Sequence, residues 1–142
     1  LAKCFAEDLG SMYWDKRGLE SVHMRILSCA QVTSARALGT WLSYDDLIQL
    51  TKRCIDTPVT GFTVVYGVSN NDRAAVDNSK ASFIGFRPKD NAEQFAEKIL
   101  AETDVLDSQD PGHMCHGGPF AKVDLGESGL ATMTIIDDKK VI

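Results

Sequence analysis

The run of residues 62–68, Phe-Thr-Val-Val-Tyr-Gly-Val, constrains this chain more than any other feature. It is too short to be a buried helix of ordinary length. It is rich in β-branched and aromatic residues, and no charge interrupts it. Such a run is expected to form a strand covered on both faces, which belongs to a parallel sheet clothed by helices. Its surroundings agree. Residues 3–16 place Phe5, Leu9, Met12 and Tyr13 on one helical stripe. Gly18 closes that helix, with Lys16 and Arg17 in the last turn, and residues 21–27 follow as a second strand. Helix, glycine, strand is half of a βαβ crossover.

Further elements follow in the same alternation. Residues 28–42 show no period and read as an irregular loop. Ser43 is the expected N-cap of a helix with Asp45 and Asp46 in its first turn, an inward face of Leu47, Ile48, Leu50 and Cys54, and Pro58 as its stop. Asn70-Asn71-Asp72 is turn chemistry. Residues 77–86 suggest a short helical turn ending at Gly85. Asp90 is expected to cap a third helix, with Glu93 in a capping box and Phe95, Ile99 and Leu100 facing inward. Residues 103–119 are rich in turn formers, and residues 131–136 read as a further strand. Two convincing strands are few for a parallel sheet, so the reading is α/β, with part of the sheet lying outside this chain.

Bulk properties exclude several classes. A net charge of -5 and basic residues adjacent only at Lys16-Arg17, Lys52-Arg53 and Lys139-Lys140 argue against a nucleic-acid partner. No apolar stretch approaches the roughly 20 residues of a membrane-spanning helix. Cys4, Cys29, Cys54 and Cys115 lie far apart with no C-x-x-C spacing, so they read as free thiols in a cytoplasmic protein. His113, Cys115 and His116 cluster in sequence, but a structural zinc site takes about four ligands in paired spacing.

The run Gly39-Thr40-Trp41-Leu42-Ser43-Tyr44-Asp45-Asp46 resembles a segment of the uronate dehydrogenases, within the extended short-chain dehydrogenase/reductase superfamily. Asp77-Asn78-Ser79 and the stretch from Gly85-Phe86-Arg87-Pro88 to Glu93 are similar as well, as is Lys3-Cys4-Phe5-Ala6-Glu7 with Met12-Tyr13. The resemblance covers residues 1 to about 120 as a coarse alignment. It implies the C-terminal portion of a Rossmann-like parallel sheet with flanking helices, the N-terminal dinucleotide-binding half being absent. Residues 121–142 match nothing in the family and stand as an unassigned tail.

The resemblance also implies site residues. Lys3 matches the lysine of the family's Tyr-x-x-x-Lys motif, whose tyrosine would stand just before Leu1. An ammonium beside a phenol favours the phenolate. Ser28, directly after the strand 21–27, matches a serine that bonds substrate near the nicotinamide. Ile26 and Cys29 flank it as pocket lining. Arg36 matches the arginine that grips the uronate carboxylate, as a planar guanidinium fork suits. Phe120 matches an aromatic residue near the substrate.

The implied activity is NAD-dependent oxidation of glucuronate or galacturonate to an aldaric lactone in the intact protein, with a homo-oligomer left open. The chain has no Gly-rich dinucleotide loop and is expected by itself neither to bind NAD tightly nor to turn over. A sugar epimerase or dehydratase of the same superfamily, and a non-catalytic interaction domain, are the alternatives.

Overall fold

The computed structural model describes residues 2–103, 109–110, 112 and 118–123. The chain divides into two compact units, residues 1–101 and 102–142. In the first, α1 (Ala2–Arg17) leads to β1 (Ser21–Ile26), α2 (Ala37–Thr40), α3 (Tyr44–Asp56) and β2 (Phe62–Gly67). A 3-10 turn (Ser79–Ile84) and a second 3-10 stretch (Ala92–Phe95) precede α4 (Ala96–Ala101). In the second unit, Gly118–Lys122 form a 3-10 helix, and Lys122 pairs with Asp110. His113, Cys115, His116 and the expected strand at 131–136 lie outside the described residues. Among the described residues, no group of three metal-ligating side chains forms and no helix is long and apolar enough to cross a membrane.

β1 and β2 pair in parallel, Ser21 opposite Phe62 through Ile26 opposite Gly67. This is the parallel α/β arrangement expected from the sequence. Glu20 ties the strand starts together by accepting from the Thr60 N–H at 2.6 Å and the Thr60 hydroxyl at 2.9 Å. On the outer edge of β2, the Asn78 side chain imitates a strand. It accepts from the Tyr66 N–H and donates to the Tyr66 carbonyl, each at 2.8 Å.

One face of the sheet packs on α3 around Leu42, Leu50, Val65, Ala81, Ile84 and Phe86. A second core joins Leu38 of α2 to Ala92, Ala96 and Ile99. The expectation that strand 62–68 is covered on both faces needs correction. In β2, buried residues alternate with half-buried ones, because α1 covers its other face only partly. Val68 lies beyond the strand and is itself buried.

α1 ends as expected. Gly18 takes φ +64, and its N–H reaches back to the Trp14 carbonyl at 2.8 Å, an αL closure, with the Leu19 N–H on the Tyr13 carbonyl. Its stripe of Phe5, Leu9, Met12 and Tyr13 is exposed, however, and α1 buries no residue. The face of α1 that meets the sheet is the opposite one, with Glu7, Gly10, Ser11 and Trp14 half-buried on it.

α1 runs antiparallel to β1, and its contacts fix the register. The Trp14 ring covers Gly61, whose carbonyl accepts from the Ser21 N–H. A side chain at Gly10 would overlap the His23 ring. Glu7 receives both Arg25 Nε at 2.9 Å and Nη2 at 2.6 Å. These Arg25 hydrogen bonds hold the Glu7 carboxyl below its ordinary value of 4.5. A depressed carboxylate stabilises the fold above the ordinary range, and that contribution disappears as the pH falls through the depressed value. Between about pH 6 and pH 3, wild type is therefore expected to lose slightly more stability than Glu7→Gln, by the small amount typical of an exposed pair. Parallel acid-unfolding curves for the two proteins would reject the role given to this pair.

Other expectations shift in detail. Residues 28–42 are not wholly irregular: α2 lies among them, too short to impose a period on the sequence. Ser43 does cap α3, accepting from the Asp46 N–H at 3.0 Å. Ile48 faces outward at 64% exposure, on the stripe of Tyr44 and Ile55, while Leu47, Leu50 and Cys54 turn to the core. The cap before α4 is Asn91, not Asp90. Asn91 Oδ1 accepts from the Glu93 N–H, whereas the Asp90 N–H is drawn to Asp46 and Glu93 pairs with Arg73. Phe95 and Leu100 are partly exposed, and only Ile99 of the three is buried.

Candidate functional site

Ligands of open parallel sheets gather beyond the carboxyl ends of the strands, and Ile26, Ser28 and Cys29 lie at or just past the carboxyl end of β1. Ile26 is the last residue of β1 and 42% exposed. It packs beside Gly67, where an added Cβ would stand 2.8 Å from Ile26 Cγ1 and 3.2 Å from Leu42 Cδ2. Ser28 follows, half-buried, and bridges Trp41 in parallel fashion. Its carbonyl accepts from the Leu42 N–H at 2.7 Å. Cys29 is partly buried and packs against the core around Leu42 and Leu50.

The α1 register places Lys3. Trp14, Gly10 and Glu7 are level with Ser21, His23 and Arg25. Four more helical residues advance about 6 Å, as do roughly two strand residues. Lys3, exposed in the first turn of α1, is therefore level with Leu27 and Ser28. An ammonium and a hydroxyl, well separated in sequence, thus stand at one end of the sheet.

Arg36 immediately precedes α2 and is half-buried. Burial pulls its guanidinium pKa below the ordinary value, though an arginine stays protonated throughout the physiological range. Its carbonyl receives the Gly39 N–H at 3.1 Å and the Thr40 hydroxyl at 3.2 Å. Leu38, 1% exposed, anchors this turn in the second core, and Trp41 meets the Phe95 ring edge-on at 5.6 Å. Phe120 lies in the 3-10 helix of the second unit, and its side chain is outside the described residues.

Two residues of this region escape sequence reasoning. Asp46 is 2% exposed and accepts from the Ser69 hydroxyl at 2.6 Å, the Lys89 N–H at 2.9 Å and the Asp90 N–H at 3.1 Å. Asn71 is 6% exposed. It donates from Nδ2 to the Trp41 carbonyl at 2.8 Å and accepts the Ala92 N–H on Oδ1 at 3.0 Å. Helix-start and turn spacing account for their residue types, but nothing local signals partners so far along the chain.

No family model matches the chain. Among curated proteins it is similar to the uronate dehydrogenase of Pseudomonas putida, with 43% identity over 122 residues, covering 85% of this chain and 45% of the relative. The uronate dehydrogenase of Agrobacterium fabrum gives 42% over 121 residues, covering 84% and 46%. An NAD-dependent glucose-6-phosphate dehydrogenase of Haloferax volcanii gives 33% over 101 residues, covering 67% and 38%. Among solved structures, uronate dehydrogenase from Agrobacterium tumefaciens superposes with a TM-score of 0.82 at 40% identity, covering 88% of this chain and 47% of that one. A mutant of that enzyme complexed with NAD gives 0.82 and 40%, covering 88% and 48%. Glucuronic acid dehydrogenase from Chromohalobacter salexigens gives 0.81 and 40%, covering 85% and 46%. The chain is a homologue of the uronate dehydrogenases, spanning about half the length of the relatives it matches.

Proposed function

We propose that the intact protein carrying this chain oxidises a hexuronic acid to its aldaric lactone with NAD, and that residues 1–120 form the C-terminal half of that enzyme, followed by a tail at 121–142. The observation that carries the reading is the Ser28 carbonyl at the carboxyl end of β1, hydrogen-bonded through Leu42 to the segment that follows Arg36, with the register of α1 setting Lys3 at the same level. The likeness to uronate dehydrogenases supplies the substrate class.

The residues present fit the nicotinamide end of the cofactor. Ile26 offers a part-exposed apolar side chain, with the Ser28 hydroxyl close by in sequence and the Lys3 ammonium at the same level. NAD, when bound, supplies the hydride acceptor. Lys3 favours the phenolate of the motif tyrosine, which takes the proton from the anomeric hydroxyl. Ser28 holds a substrate oxygen by a hydrogen bond. Arg36 takes the carboxylate in its fork and fixes C1 in the orientation for oxidation. The C1–H bond breaks with its electron pair, the C1–O bond becomes a carbonyl, and the sugar leaves as the lactone. Cys29 completes the lining of the pocket in this reading, and the enzyme works in the cytoplasm.

The test is NADH formation by the intact protein supplied with glucuronate, galacturonate, glucose and glucose 6-phosphate, with the isolated chain as the inactive control. Turnover of a uronate, and not of glucose, is expected. Glucose 6-phosphate is included because the Haloferax volcanii relative is named for it and a guanidinium fork also suits phosphate. Preference for the phosphate would replace the uronate by that substrate, and no turnover of either would remove the dehydrogenase reading.

A further inference from the structure

The Trp41–Leu42 peptide is the joint between the two halves of the proposed site. Its N–H donates to the Ser28 carbonyl at 2.7 Å. Its carbonyl, on the opposite side of the same rigid plane, receives the Ser69 N–H at 2.9 Å and Asn71 Nδ2 at 2.8 Å. Asn71 is thus one peptide plane away from Ser28. The loop it belongs to also supports α2 from below. A Cβ on Gly39 would stand only 2.5 Å from the Arg73 carbonyl oxygen, so the helical turn that follows Arg36 rests directly on this loop. Asn71 Oδ1 fastens the arrangement to the start of the Ala92–Phe95 stretch through the Ala92 N–H.

We propose that Asn71 is a positioning residue for substrate, acting through the Trp41–Leu42 peptide on Ser28 and through the Arg73–Gly39 contact on Arg36. The inference rests on the reading of Arg36 and Ser28 as substrate ligands. A side-chain amide is what the position demands, because one atom must donate to a carbonyl while its neighbour accepts an N–H. Asn71→Asp preserves shape and the bond from Ala92, but sets a carboxylate oxygen against the Trp41 carbonyl. Gly39→Ala disturbs the same support from the other side and serves where Asn71→Asp lowers the yield of folded protein.

The experiment measures steady-state kinetics of the intact protein with glucuronate and NAD, for wild type, Asn71→Asp, Gly39→Ala, Arg36→Ala and the double variant Asn71→Asp/Arg36→Ala. KM for glucuronate is expected to rise about tenfold in Asn71→Asp and in Gly39→Ala, on the scale of a small misplacement of a substrate-holding group. KM for NAD and kcat should stay within about threefold, as for lost uniform substrate binding. The double variant should fall short of the product of the two single effects, because the share of the Asn71 restraint that acts on Arg36 is already gone in Arg36→Ala. A purely structural role would instead lower kcat with the fraction of folded enzyme and leave KM unchanged, and that result would overturn the proposal. So would multiplying effects in the double variant. An Arg36→Ala protein with unaltered KM would overturn the Arg36 reading itself. A raised KM there with normal KM in both Asn71→Asp and Gly39→Ala would remove only the role of Asn71.

Discussion

Replacing Arg36 by alanine in the intact protein is expected to cut kcat/KM for the uronate by about 3 kcal/mol, on the order of 100-fold. That figure sits toward the lower part of the range for a truncated buried ion pair because Arg36 is half-buried and water reaches it. The loss should fall mainly on KM, since the carboxylate carries the same charge in the ground state and the transition state. Arg36→Lys should recover only part of it, because a point charge cannot reproduce two parallel hydrogen bonds. The check is a comparison of kcat/KM for glucuronate among the three proteins. Equal values would mean that another cation holds the carboxylate.

The second large effect concerns stability. Asp46→Ala is expected to cost about 4 kcal/mol, a drop in unfolding midpoint of roughly 10 °C. The change strands the N–H groups of Lys89 and Asp90 and the Ser69 hydroxyl, all of which now end on one buried carboxylate. Asp45 is the internal control. It occupies the same first turn of α3 and feels the same helix dipole, but it is exposed. Asp45→Ala should cost no more than about 1 kcal/mol. Thermal unfolding of the two variants separates the explanations: equal losses would mean that dipole interaction is all either aspartate contributes.

How far the sequence carried depends on the range of the interaction concerned. The end of α1 at Gly18, the Ser43 cap and the turn at Gly85 were legible because each is decided within one helical turn. The inward face of α3 was partly misread. Ile48 neighbours Leu47 in sequence, but it lies on the Tyr44–Ile55 side of the cylinder. The apolar stripe of α1 was correctly located, yet periodicity tells which face is apolar and not whether this chain covers it. α2 was missed because a four-residue helix leaves no period.

For the site, strand polarity puts Ser28 just beyond the carboxyl end of β1, and the helix register brings Lys3 to the same level. The resemblance singled out Arg36, and the half-burial of that side chain is new from the structure. Asp46 and Asn71 stayed hidden since their partners stand 21 to 44 residues away. In sequence they are ordinary helix-start and turn residues.

The Asn78 amide, clamped on both backbone groups of Tyr66, gives the sheet a direction of growth. It works as a stopper on that side, occupying at Tyr66 the place a neighbouring strand would need. Among the described residues β1 pairs with β2 alone. Recruitment of any additional strand, from the same polypeptide or another, is thereby channelled to the β1 side. Removing the stopper would unblock a second adhesive rim and favour edge-to-edge stacking of copies.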